Sequence, residues 1–260
     1  MDLGLKGRTA LVTGGTRGIG LACARVLARE GARVAICGRS REKLDAALDA
    51  CAAERLDVRG HTADVTDEAS VQALMEWVRG ELGGLNVLVN NAGHGSPGAA
   101  LGLAEEAWRD VLDTNLTALW RCSRLAAPLM AASGGGAIVN ISSISGRIAF
   151  THQGVYPVSK AGVNALTRVM ASELAAKGIR VVAVAPGFTE TEMLQKKHGN
   201  TDYLKDMTLL RRLAKPEEIG KLVAFLASDA AGYITAEVFE ISGGAFRVRD
   251  PGWSWAREET

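Results

Sequence analysis

The chain is predicted to fold as a single α/β domain, a doubly wound parallel sheet of seven strands between two layers of helices, three layers in all. Three observations carry the prediction. Short strand-like apolar runs alternate with helix-length amphipathic stretches from end to end, the pattern of repeated βαβ units. A glycine-rich stretch lies directly between the first run and the first helical pattern, where a parallel α/β sheet makes its first turn. The 260 residues, 47% hydrophobic and 23% charged, suffice for one large core without a second domain.

In order, the strand candidates are Arg8–Thr13, Arg33–Cys37, Val58–Ala63, Val87–Asn90, Ala137–Ile141, Arg180–Ala185 and Val238–Ile241. Their dense apolar character suits strands covered on both faces. Between them, apolar residues recur with helical period over about 18–30, 40–54, 67–82, 104–131, 154–177 and 216–228. Residues 188–212 show no clear period. An insertion of that kind near the carboxyl ends of strands is a candidate lid over a ligand crevice.

Composition narrows the function. The formal net charge is +1 with dispersed lysines and arginines, so no nucleic-acid or membrane partner is expected. No signal-like stretch precedes the first strand, and no run reaches the roughly 20 apolar residues that cross a bilayer. Cys23, Cys37, Cys51 and Cys122 stand singly, without C-x-x-C or metal-ligand spacing. Reduced thiols in a cytoplasmic protein, and no metal, are expected.

Thr13-Gly14-Gly15-Thr16-Arg17-Gly18-Ile19-Gly20 leads from the first strand into the first helix. Glycine is needed where backbone closely approaches a pyrophosphate or takes positive φ, and the helix adds free N–H groups and the positive end of its dipole. A dinucleotide is the expected ligand. The second strand ends in Cys37-Gly38-Arg39-Ser40, without the acid that reads a free ribose 2′-hydroxyl. Arg39, with Ser40 beside it, and Arg17 are expected to converge on a 2′-phosphate, so the expected cofactor is NADPH/NADP+.

Tyr156 and Lys160 are four residues apart, and Ser143 lies thirteen residues ahead of the tyrosine. On one helix, positions i and i+4 share a face. That sets an ammonium beside a phenol whose ordinary pKa, about 10, is too high for ready proton exchange at neutral pH. Lys160 and an oxidised nicotinamide are the two cations expected to lower it. With Asn115 upstream, the set points to carbonyl reduction.

These motifs together resemble the short-chain dehydrogenase/reductase family, single-domain branch, over nearly the whole chain: the loop at 13–20, Asp64 after the third strand, Asn90-Asn91-Ala92-Gly93 after the fourth, the set Asn115, Ser143, Tyr156 and Lys160, then Pro186-Gly187 and Thr191. The resemblance implies a Rossmann-type fold, residues 1–260 forming one dinucleotide-binding catalytic domain, and a homotetramer. It implies that Gly14, Thr16, Arg17, Gly18, Ile19 and Gly20 hold the pyrophosphate and adenosine side, that Asp64 and Val65 flank the adenine, and that Asn91, Ala92 and Gly93 support the cofactor. Pro186, Gly187, Thr189 and Thr191 are implied to meet the nicotinamide half. Ser143 and Tyr156 are implied to bind the substrate oxygen, Lys160 the nicotinamide ribose, and Asn115 a water leading to Lys160. Near the last strand, Ala236-Glu237 and Ser242-Gly243-Gly244 depart from the family pattern, which bears on subunit packing.

The segment from Pro186 to Met193 is similar to the 3-oxoacyl carrier-protein reductases. The expected substrate is a free small-molecule ketone or secondary alcohol, with a carrier-bound 3-oxoacyl group as the alternative. A nucleotide-retaining epimerase or dehydratase, or a nucleotide sensor, is a further one. His94, His152, Gln153, Lys196, Lys197 and His198 are candidate substrate contacts, and Trp253 and Trp255 are expected to pack against a neighbouring subunit.

Overall fold

The computed structural model describes residues 2–95, 98–148 and 150–246, with the side chains of 196–198 left undescribed. Trp253 and Trp255 lie outside these residues. The strands are β1 (Thr9–Thr13), β2 (Arg33–Gly38), β3 (Val58–Thr62), β4 (Val87–Asn90), β5 (Gly136–Ile141), β6 (Ile179–Pro186) and β7 (Val238–Ile241). They form one sheet in the order β3-β2-β1-β4-β5-β6-β7, parallel throughout. The strand order reverses between β1 and β4, so a crevice opens beyond Thr13 and Asn90, where open α/β sheets bind ligands.

Alternate strand residues feed two cores. Leu11, Ala35, Leu88, Ile138 and Val181 face α3 (Glu68–Leu82), α5 (Ala118–Ala132) and α6 (Tyr156–Leu174). Val12, Ile36, Val89, Val139 and Val182 face α1 (Gly18–Arg29), α2 (Arg41–Ala53) and α9 (Pro216–Ala227). Burial on both faces is why the central strands, β1, β2, β4, β5 and β6, read as largely apolar runs. All four cysteines are free and buried, and burial pushes the Cys23 and Cys37 thiols up to about 12. Among the described residues no helix is long and apolar enough to cross a membrane.

Three elements differ from the sequence reading. The stretch 104–131 divides into α4 (Glu105–Leu112), a π-helical turn over Asp113–Thr117, and α5. The helix expected from 154 begins at Tyr156, because Gly154 takes φ +53° and cannot join its first turn. The candidate lid contains two short helices, α7 (Glu192–His198) and α8 (Asp202–Asp206), the second anchored by Leu204 at 2% exposure.

Candidate active site

The glycine loop is locked to the end of β4. Thr13 Oγ1 accepts the backbone N–H groups of Asn91 and Ala92 at 3.0 and 3.2 Å, and Asn91 Nδ2 donates to the carbonyls of Thr13 and Gly14, both at 3.0 Å. Asn91 thus holds the loop through its amide. Gly14 and Gly18 take φ +62° and +53°, where a side chain is strained. A Cβ on Gly20 would run into the Gly14 carbonyl and the Asn91 amide. Thr16 packs over Gly38, where a Cβ would stand 2.7 Å from Thr16 Cγ2. Ile19 lies against the α1-side core. The loop therefore delivers the start of α1 to the crevice with Gly14 and Gly18 partly exposed and carrying no side chain, a cradle that fits a pyrophosphate.

Arg17 and Arg39 each lie near a carboxylate. Arg17 Nη1 lies 3.0 Å from Glu192 Oε2, since the first turn of α7 presents a carboxylate across the loop, and Thr191 lies beside Gly18. Arg39 is exposed and close enough to Asp64 to help lower that carboxyl. Burial raises the Asp64 pKa, but hydrogen bonds from the Thr66 hydroxyl and N–H, with Arg39 and Arg121 nearby, bring it below its ordinary value. Ser40 caps α2, its hydroxyl accepting the Lys43 N–H at 3.3 Å. Val65 is buried and its carbonyl accepts from Arg121 at 2.9 Å.

Across the switch point stand Ser142, Ser143, Tyr156 and Lys160. Ser142 and Ser143 follow β5 and part ways. Ser142 Oγ donates to Asn164 Oδ1 at 2.6 Å, which ties it to α6. Ser143 caps a short 3-10 turn through the Ser145 N–H at 3.1 Å and hydrogen-bonds the Tyr156 phenol. Tyr156 opens α6, and Lys160 Nζ lies 5.7 Å from its ring centroid. The ammonium donates to the Ile141 carbonyl at 2.8 Å. Burial pushes Lys160 down to about 8. Burial also raises the Tyr156 phenol above its ordinary value, with the Ser143 bond pulling the other way. Burial and the Ser143 bond set the phenol's direction in this arrangement, and the lowering expected from Lys160 does not appear.

Asn115, at 1% exposure, sits in the π-helical turn. Its Oδ1 accepts the His94 N–H at 2.9 Å, and its Nδ2 donates to the His94 carbonyl at 2.9 Å and Ser159 Oγ at 3.1 Å. The side chain is thus engaged within the protein and clamps the β4 loop against α6. Gly93 lies between Asn115 and Lys160, since a Cβ there would stand 2.9 Å from Asn115 Oδ1 and 3.7 Å from Lys160 Nζ.

Beyond β6, which ends at Pro186, Gly187 presses on Ser242, and Thr189, buried, donates to the Gly187 carbonyl at 3.2 Å. Thr191 Oγ1 caps α7 by accepting the Leu194 N–H at 3.3 Å. His94 Nε2 is 3.1 Å from Asp110 Oδ2 on α4, and His152 is exposed with φ +57°. The side chains of Lys196, Lys197 and His198 fall outside those described. Sequence reasoning passed over Thr13 and Ser159. Both are hydroxyl residues beside a motif, and neither has a spacing signature.

Comparison with known proteins fits this geometry. The family profile described as Enoyl-(Acyl carrier protein) reductase matches residues 14–245. A 3-oxoacyl-[acyl-carrier-protein] reductase FabG of Staphylococcus aureus is 40% identical over 244 residues, covering 92% of this chain and 98% of the relative. The chain belongs to the short-chain dehydrogenase/reductase family. A cis-4-hydroxycyclohexanecarboxylate dehydrogenase of Sinomonas cyclohexanicum, also similar, is 43% identical over 91% of this chain and 96% of its own length. Among solved structures, a variant of actinorhodin polyketide ketoreductase with NADPH superposes with a TM-score of 0.88 at 36% identity, over 91% of this chain and 96% of that one. A short-chain type dehydrogenase/reductase from Mycobacterium marinum gives 0.89, also at 36% identity, over 94% and 97%. Family membership makes the protein an oxidoreductase acting on ketones or alcohols and using a nicotinamide cofactor.

Proposed function

We propose that the protein is an NADPH-dependent ketoreductase that reduces a free small-molecule ketone, working in the cytoplasm as a homotetramer. The observation that carries the reading is the meeting of Ser143, Tyr156 and Lys160 at the carboxyl ends of β5 and its neighbours. The nicotinamide, when bound, supplies the hydride that reaches the carbonyl carbon. Tyr156 gives its phenolic proton to the carbonyl oxygen, and Ser143 holds that oxygen by a hydrogen bond. Tyr156 is the first residue of α6, so the helix dipole favours the phenolate left behind. Lys160 adds a positive charge beneath the ring, and its pKa of about 8 lets it pass a proton at near-neutral pH. Asn115 keeps the Gly93 backbone and Lys160 in register.

The glycine cradle, Asp64, Val65, Asn91, Ala92, Gly93, Pro186, Gly187, Thr189 and Thr191 fit a dinucleotide, and the exposed Arg39 suits a 2′-phosphate. Arg17 reaches such a phosphate only by leaving Glu192. Support for a homotetramer is the exposed apolar surface of Trp120 on α5 and of Val158 and Val169 on α6. The Sinomonas relative, named for an alicyclic substrate, favours a compact free ketone. The near full-length match to FabG of Staphylococcus aureus favours the second reading, a carrier-bound 3-oxoacyl substrate.

The test is nicotinamide oxidation by wild type, Tyr156→Phe and Arg39→Ala over a panel of ketones and a 3-oxoacyl thioester. Tyr156→Phe should lose about a hundredfold to ten-thousandfold in kcat. Arg39→Ala should weaken NADPH roughly tenfold to a hundredfold while sparing NADH. Wild type that uses NADH at least as efficiently as NADPH would overturn the cofactor assignment.

A further inference from the structure

Phe150, Phe188 and Phe246 come from three separate stretches: the loop between Ser143 and Tyr156, the turn after β6, and the turn after β7. Their rings meet. Centroids are 6.4 Å apart for Phe150 and Phe188, 4.9 Å for Phe150 and Phe246, and 6.0 Å for Phe188 and Phe246, with interplanar angles of 52°, 60° and 66°. None is fully buried, and Phe246 keeps 39% exposure. All three sit at the carboxyl ends of strands, on the side of the sheet that holds Ser143 and Tyr156. Arg147 Nη1 bonds Glu240 Oε1 at 2.9 Å and braces the 144–153 loop against β7. The triangle is therefore a supported apolar wall with ring surface left over.

A second, independent observation concerns Gln153. Its Oε1 is buried and has no hydrogen-bond partner among the described residues. Its backbone is held in place, bridging to Gly98 and accepting the Tyr156 N–H at 3.1 Å. A buried amide oxygen without a donor is uncommon in folded proteins, and a donor from water or a bound molecule would satisfy it. This one lies three residues before the proposed proton donor.

We infer that the aromatic triangle and Gln153 select the substrate: a ketone carried on a ring system and bearing a hydroxyl donor that Gln153 Oε1 accepts. The inference rests on the ketoreductase reading and deepens it. A rigid ring loses little conformational freedom on meeting a wall of tilted rings, whereas a flexible acyl chain must be ordered to do so. A straight 3-oxoacyl thioester also has no hydroxyl to offer the buried oxygen.

The experiment compares kcat/KM with NADPH for a hydroxytetralone, its methyl ether, the unsubstituted tetralone, a linear ketone of equal carbon number and an acetoacetyl thioester. Direct binding of the corresponding hydroxytetralol, measured by calorimetry, gives a readout apart from turnover. Wild type should favour hydroxytetralone over the methyl ether by about tenfold. That ratio should fall toward unity in Gln153→Leu and persist in Gln153→Glu, which keeps an acceptor oxygen. Phe150→Ala should shrink the preference for tetralone over the linear ketone by a similar factor. Melting temperatures check that each variant folds, and the Glu variant carries the test if the Leu variant does not. Equal hydroxyl and ether rates in wild type, an unchanged ratio in Gln153→Leu, or preference for the linear thioester would overturn the inference while leaving the ketoreductase reading intact. Failure of wild type to turn over any ketone would overturn that reading, and this inference with it.

Discussion

Lys160 offers the clearest quantitative test of the site, because its charge is buried and its substitution changes stability in a pH-dependent way. Its folded pKa is about 8 against 10.5 for an ordinary lysine, with desolvation as the cause. That difference corresponds to ~3 kcal/mol of preference for the neutral amine in the folded state. Below about pH 8 the lysine is charged in both states and the fold bears the whole cost of burying the charge. As pH climbs from about 8 toward 10.5 the unfolded chain binds more protons than the folded one, so stability rises with pH. Roughly 2 kcal/mol of the gain falls between about pH 7 and 9.5.

The perturbation is Lys160→Met, which keeps an unbranched side chain one atom shorter and removes the titration. Losing the bond to the Ile141 carbonyl costs about 1–3 kcal/mol if that oxygen finds no other donor. That offset does not depend on pH, so the slope carries the test. Urea unfolding of the cofactor-free protein across this range should show wild type gaining ~2 kcal/mol relative to the variant. A difference that stays flat with pH would refute the burial argument and place the Lys160 charge in contact with water.

Packing gives two further expected outcomes. Gly20→Ala forces a Cβ into the Gly14 carbonyl and the Asn91 amide. It should cost about 1–3 kcal/mol of stability and weaken binding of the dinucleotide, both readable by thermal melts with and without NADPH. Asn140, fully buried, accepts from Asn90 Nδ2 at 2.9 Å and donates to Thr167 Oγ1 at 3.0 Å. Asn140→Leu should lower unfolding free energy by about 1–3 kcal/mol, and unchanged stability in urea would show this internal polar ladder to be dispensable.

The central strands were legible because burial on both faces writes itself into composition, as in Val87-Leu88-Val89, and the structure places all seven within about two residues of their expected ends. The pairing of Tyr156 with Lys160 was legible because helical spacing is enough to state it. The π-helical turn at Asp113–Thr117 was not, since Asp-Thr-Asn-Leu-Thr has no local signature. It is held by bonds from Asn115 to His94 and Ser159, residues 21 and 44 positions away. The Arg17–Glu192 ion pair was not legible for a similar reason. Glu192 is 175 residues distant from Arg17, and nothing near the glycine loop announces it.

The turn at Asn115 also explains how one long helical stretch serves two purposes. A π-helical turn adds a residue to the helix and rotates the segment beyond it, which is why such turns recur at functional sites. Before it, α4 is mostly exposed and contributes only Val111 to the buried set. After it, α5 turns Ala118, Leu119, Cys122, Ala126 and Met130 into the core. The extra residue lets the chain pass from a surface helix to a core helix without a loop, and it points an amide inward where the two meet. That amide lies beside Gly93, which separates it from Lys160. The same irregularity therefore sets the packing of α5 on the sheet and the distance between the β4 loop and the buried lysine. A substitution at Asn115 acts on fold and site together, so a loss of turnover in such a variant has to be read alongside its stability before it is assigned to chemistry.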